Sequence, residues 1–204
     1  MLKKIGLLIA TSISVLAMHN AEININEKDL EFGLNFDMGQ FNKGVEPETT
    51  FVGLKYLHSN TDNSNDEYGK TVNTKYFVEL NFLIKQEIKK SGLKFGLGVK
   101  TNFSAINDKA FMSIPIGLDV SYILPLKDII PIVISGEVYY SPESLSFLDA
   151  ASYFEYRAEL RAELIERGSI FLGYRNLDTN YEASSSQYDV TYNRSLYFGF
   201  QFEF

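Results

Sequence analysis

Residues 153–164 read YFEYRAELRAEL, and the fold turns on how they are read. Phe154, Tyr156, Ala158, Leu160, Ala162 and Leu164 alternate without a break with Glu155, Arg157, Glu159, Arg161 and Glu163. Wound as a helix, the segment has good intrinsic propensity, but its charges circle the whole surface. Extended, the same residues separate into one apolar face and one charged face, the period-two signature of a strand. The spacing predicts a β-strand over these residues.

The same alternation recurs outward from this stretch in about nine segments separated by polar or Gly/Pro breaks. Thr74, Tyr76, Val78, Leu80, Phe82 and Ile84 alternate with Lys75, Glu79, Asn81 and Lys85. Leu93, Phe95, Leu97 and Val99 oppose Lys94, Gly96, Gly98 and Lys100. Met112, Ile114, Ile116, Leu118, Val120 and Tyr122 oppose Ser113, Pro115, Gly117, Asp119 and Ser121. Pro115 cannot donate to a ladder, so a bulge is expected there.

In a soluble sandwich the apolar faces would pack on each other, whereas in a membrane barrel they point outward. Segments of about 10–14 residues exceed the usual globular strand and suit tilted strands crossing a bilayer. Short links at Lys89–Gly92, Pro125–Ile130 and around Arg167–Gly168 alternate with long polar ones at Ser59–Val72, Ser141–Ser152 and Asp178–Asp189. That is the rhythm of short periplasmic turns and long outer loops. The chain closes on Leu196, Phe198, Phe200, Phe202 and Phe204, alternating with Tyr197, Gly199, Gln201 and Glu203. A last strand ending in Phe resembles the signal read by the barrel-assembly machinery. The expected fold is an all-β, antiparallel up-and-down transmembrane barrel of eight to ten strands. Nine segments break the even-number rule; a strand at Glu22–Asn26 would make ten, and fusing two segments would make eight.

The 204 residues hold 13 Tyr and 16 Phe, no Trp and no Cys, a bias toward residues favoured on pleated surfaces. One domain is expected. Lys3 and Lys4 followed by the apolar run Ile5–Ala17 read as a signal peptide, with Val15 and Ala17 placing the cut before Met18. The expected organisation is therefore residues 1–17 as signal peptide and 18–204 as barrel. Removing the leader moves the formal charge from −7 to −9, which argues against nucleic acid as a partner. The absence of Cys excludes disulfides, thiolate chemistry and lipid attachment at an N-terminal Cys.

On the inward faces, basic Lys55, Lys75, Lys85, Lys94, Lys100, Arg157, Arg161 and Arg175 nearly balance acidic Glu31, Asp37, Glu79, Asp119, Glu137, Glu155, Glu159, Glu163 and Glu203. About eight strands make a bore that side chains just fill, so these charges are expected to meet as a network that closes it, centred on Glu155, Arg157, Glu159, Arg161, Glu163, Lys75, Glu79, Lys100 and Arg175. The run Asp62–Glu67 offers oxygen donors of the kind calcium takes, but it lacks the glycine and distal Glu of an EF-hand, and a solvated loop is the expectation. No Walker loop, dinucleotide fingerprint or metal-ligand spacing is present. No catalytic residue, metal or cofactor is expected, and the chain is read as not an enzyme.

Three stretches resemble the YfaZ family of bacterial outer-membrane proteins: YLHSNTDNSNDE at Tyr56–Glu67, GEVYYSPESLS at Gly136–Ser146 and LGYRNLD at Leu172–Asp178. The resemblance implies an outer-membrane barrel, and it draws attention to His58 and to the turn at Pro142, Glu143 and Ser144. From the residues alone, His58 reads as a polar interface residue at a strand end, and the turn as a change of chain direction. Outer-membrane lipid and the assembly machinery are the expected partners. The expected role is a structural or loop-mediated one in the envelope, with a narrow solute pore as alternative and a lipid-modifying or hydrolytic enzyme third.

Overall fold

The computed structural model describes residues 20–59, 65–66, 74–106, 109–126, 130–183 and 186–204. The proposed leader, and all but Asn65 and Asp66 of the candidate calcium run up to Asp66, lie outside these residues, as does Glu67. Ten antiparallel strands close on themselves: β1 (Asn20–Ile25), β2 (Leu30–Asp37), β3 (Thr50–His58), β4 (Thr74–Glu87) and β5 (Leu93–Ile106). They continue with β6 (Lys109–Ser113 and Ile116–Ile123), β7 (Ile132–Ser141 and Ser146–Leu148), β8 (Ala150–Ile165), β9 (Gly168–Ala183) and β10 (Ser186–Glu203). Each strand pairs with its sequence neighbours, and β1 pairs with β10, Asn20 opposite Glu203 and Ile25 opposite Phe198. Closure leaves no strand unpaired on a whole side; β10 runs on from Tyr197 to Ser186 beyond its ladder with β1, where Val190 and Thr191 pair with Asp66 and Asn65.

The parity question is resolved by β1, which supplies the tenth strand at Asn20–Ile25. The proline is where β6 breaks: Lys109–Ser113 pairs with the far half of β5 and Ile116–Ile123 with its near half. β7 carries a matching interruption, in which Glu143–Leu145 forms one turn of 3-10 helix. Ser141 Oγ donates to Leu145 O at 2.8 Å and Ser146 Oγ to Pro142 O at 3.0 Å, which holds the bulge while the strand resumes.

The expected short/long rhythm of links forms only in part. The short links at Lys89–Gly92, Pro125–Ile130 and around Arg167–Gly168 fall between strands, and Ser59–Val72 joins β3 to β4 but lies outside the described residues except for Ser59, Asn65 and Asp66. Ser141–Ser152 and Asp178–Asp189, in contrast, are mostly strand, not loop. A link of residues 38–49 lies at the end where Asn20 and Glu203 meet, the terminal end. The reason lies in which face is polar. Along the terminal part of β9 and β10 the outward side chains are apolar: Ile170, Leu172 and Tyr174 on β9, and Leu196, Phe198, Phe200 and Phe202 on β10. Beyond Tyr174 the outward positions become Asn176, Asp178 and Asn180, while Leu177 and Tyr181 turn inward and are buried. A bulge between Leu177 and Asp178 accompanies the switch. Polar outward residues read as loop in the sequence, yet the ladder runs on with its polarity inverted.

Around the terminal two-thirds of the barrel the outer wall is greasy, with Leu97 65%, Leu196 64% and Leu172 56% exposed. The outward run from Leu196 to Phe204 stands about 20–25 Å tall at a rise of about 3.3 Å per residue and a tilt of about 40°. Tyr56, Tyr76, Tyr140, Tyr156 and Tyr174 ring its far margin on the same outer face.

Candidate functional site

The bore is layered. Nearest the far end, Leu57, Phe77, Phe111, Ala150, Tyr153, Leu177, Tyr181, Val190 and Tyr192 form a buried apolar cluster. Its rings pack at centroid distances of 5.2 Å (Phe77–Tyr192), 5.5 Å (Phe111–Tyr153) and 6.1 Å (Phe77–Tyr153). These rings fill the far section of the barrel and are buried there as a core excluded from water.

Beneath this plug lies a belt of charge. Lys100, on β5, donates to Glu155 at 3.0 Å and Glu137 at 3.1 Å and pairs with Glu79 at 3.2 Å. Arg157, on β8, donates from Nε to Glu155 at 2.7 Å and from Nη1 to both oxygens of Glu31 at 2.8 and 3.0 Å. Arg175, on β9, pairs with Glu31 at 3.1 Å and donates to Asn193 at 2.7 Å and Asp29 at 3.4 Å. Tyr153 ties plug to belt, donating its hydroxyl to Glu155 at 2.9 Å. Each cation touches at least two carboxylates. A dry charge is costly unless paired, and the ion pairs of the belt offset the full burial of Arg175, Glu31, Glu79 and Glu155, while among the described residues Glu79 Oε2, Arg157 Nη2 and Arg175 Nη1 receive or make no hydrogen bond.

The structure thus brings together Glu79 from β4, Lys100 from β5, Glu155 and Arg157 from β8 and Arg175 from β9, along with Glu31 from β2 and Glu137 from β7. It separates others. Arg161 and Glu159 pair with each other at 2.9 Å nearer the terminal end, where Arg161 also bonds Gln201 and lies over the Phe171 ring, and Tyr197 donates to Glu159 at 2.8 Å. Lys55 pairs with Glu22, Lys85 with Asp119 and Lys94 with Glu48. Glu163 is exposed at the mouth, and Glu203 is half-buried there. Asp37 caps the link after β2, accepting from Gly39 N and Glu48 N. The side chain of Lys75 lies outside the description.

His58 points outward beside Tyr76 in the register, away from the bore, and the Pro142–Glu143–Ser144 turn belongs to β7, four strands round the wall. These two features do not form one site. Asp29, Asn193 and Ser59 escaped the sequence reading. Asn193 Nδ2 donates to Asp29 at 3.0 Å and to Ser59 at 2.6 Å, and Asp29 is buried in the β1–β2 turn, which tucks over the bore. The plug was also missed, although Leu57, Phe77 and Tyr153 stand out as apolar residues at inward positions.

A closed barrel with alternating greasy and charged faces, built from nearly the whole chain, gives the family comparison its context. The family described as YfaZ precursor matches residues 2–204. The chain belongs to that family. No curated protein matches it. For this YfaZ family member the precursor designation suggests an exported protein, and the barrel fits the alternation read from the sequence.

Proposed function

We propose that the mature protein is a small outer-membrane barrel with an occluded bore, acting as a structural element of the envelope or presenting its far end to partners, and not as an enzyme. The observation that carries this reading is the change of polarity along the wall: apolar outside and charged inside near the terminal end and, on β9 beyond Tyr174, polar outside with Leu177 and Tyr181 inside. Hydrocarbon rewards the first arrangement and water the second, and aromatic side chains favour the boundary between them. The terminal end then faces the periplasm, and the C-terminal strand with Phe204 is the segment offered to the assembly machinery.

Belt and plug fill the bore beyond the cavity at its terminal end with buried side chains, which favours occlusion over the narrow-pore reading. Reconstitution in planar bilayers tests it: the wild type is expected to be electrically silent, and steady single-channel conductance would replace this reading with the pore. Lipid analysis of cells with and without the protein tests the non-enzymatic part, with unchanged lipid species as the expected result.

A further inference from the structure

Two fully buried side chains beside the belt have no partner for any of their polar atoms. Asn102, on β5, is 0% exposed, yet among the described residues neither its Oδ1 nor its Nδ2 has a hydrogen-bond partner. Ser113, at the break in β6, is buried to the same degree, and its Oγ is likewise without a partner. Buried polar groups are almost always hydrogen-bonded, and leaving one bare is costly. The register sets Asn102 opposite Glu79 of β4 on one side and opposite Ser113 on the other, and all three side chains are buried on the bore side of the wall. Directly opposed residues have Cβ atoms about 5 Å apart. The Glu79 carboxylate, the Asn102 amide and the Ser113 hydroxyl therefore lie side by side, between the belt and the plug.

The belt itself carries more negative charge than positive. Among the described residues Glu31, Glu79, Glu137 and Glu155 share Lys100, Arg157 and Arg175, four carboxylates against three cations, and Arg175 is divided further with Asp29. The nearby Lys55 is held by Glu22 at 3.1 Å. Glu79 accepts from Asn81 at 3.0 Å, and the Lys100 ammonium 3.2 Å from its Oε2 is shared with Glu137 and Glu155. An excess of buried negative charge is costly unless a positive charge joins it. There is a way in: Glu79 lines a cavity of about 360 Å³ between the belt and the terminal end, a vestibule that opens past the exposed side chains of Glu48 and Glu163.

We propose that one alkali-metal cation binds here, held by the Glu79 carboxylate, Asn102 Oδ1 and Ser113 Oγ. The ion supplies positive charge that the belt lacks and gives both neutral oxygens a partner, and a water kept in its shell accepts from Asn102 Nδ2. One charged and two neutral oxygens suit a single positive charge, whereas calcium takes about six to eight oxygens. This site goes beyond the envelope role proposed above and does not depend on it.

Urea unfolding of the full chain, refolded in neutral detergent micelles, tests it in sodium, potassium or tetramethylammonium chloride. Equal ionic strength makes screening the same in all three. Sodium or potassium is expected to raise the midpoint over tetramethylammonium by about half a molar when present at about ten times its dissociation constant. Ser113→Ala and Asn102→Ala each remove one oxygen without changing the charge, and each is expected to abolish most of that difference. Ser121→Ala, at a serine lining the vestibule outside the site, is expected to keep it. Gel migration of unheated samples checks folding, and either oxygen variant decides the matter if the other does not fold. Equal midpoints in the three salts would overturn the proposal in favour of water at these atoms. An alkali effect that survives both oxygen replacements would place the ion elsewhere and overturn it too. A midpoint that follows pH with no preference among the cations would give the place to a proton on Glu79, with the same result.

Discussion

Arg157 shows what a single side chain does in this bore. It is 4% exposed and joins Glu31, Glu137 and Glu155, carboxylates contributed by β2, β7 and β8. Arg157→Ala leaves those buried carboxylates short of a cation, and the loss of one partner from a buried ion cluster costs about 3–5 kcal/mol. Arg161 occupies the equivalent face of the same strand four residues on, but its side chain is 23% exposed beside the vestibule. Arg161→Ala is expected to cost no more than about 1 kcal/mol. Urea unfolding of the two single variants in the same detergent separates them; equal midpoints would mean that the belt does not stabilise the barrel. Space matters at this scale as well. A Cβ on Gly173 would meet the Tyr197 ring at 2.3 Å, and one on Gly98 would meet the Tyr139 hydroxyl at 2.1 Å, so these inward glycines are where large rings lie against the wall.

Among the elements, β1 makes short seams on both sides, six residue pairs with β10 and six with β2, against sixteen between β9 and β10. It is reinforced from inside. The β1–β2 turn places Asp29 against Asn193, Ser59 and Arg175, so the first hairpin is tied to β3, β9 and β10 by side chains as well as by its ladder. Asp29→Ala strips these donors of a buried acceptor, a change that costs about 1–3 kcal/mol. Hydrogen exchange is expected to speed up first in β1 and β2 and to leave the β8–β9 pairing protected; uniform loss of protection would argue that the turn is not a local fastener. β9 and β10 explain why element boundaries were the least legible part of the sequence. The alternation from Leu196 to Phe204 identified a strand correctly, but Asp178–Asp189 looked like a loop because a polar outward face and a solvent-exposed turn have the same composition.

For the molecule as a whole, closure pairs each strand on both sides along much of its length, and such barrels resist detergent until heated. Unheated and boiled samples are expected to migrate differently on a denaturing gel, with the protein in the envelope membrane fraction. Identical migration together with recovery in the soluble periplasm would contradict the outer-membrane proposal. Export is tested at the same time by N-terminal sequencing of that fraction, which is expected to begin at Met18; a mature chain retaining Met1 would contradict cleavage at Ala17.

The sequence by itself determined the strand character, the two faces and most of the inward charges, because a period of two assigns each side chain to a face without reference to any partner. Glu79, Lys100, Glu155, Arg157 and Arg175 were legible for this reason. What it left open was decided by closure. Which charges meet depends on strand stagger round the barrel, so Arg157 reaches Glu31, 126 positions away, while Glu163 on its own strand is left at the mouth. Asp29 entered the bore only because β1 and β2 are short and their turn falls at mid-height. The plug formed where the outer face of β9 changes from apolar to polar beyond Tyr174 and Leu177 and Tyr181 take the inward positions. Those outcomes depend on distances between strands far apart in sequence, and such distances exist only once the sheet has closed.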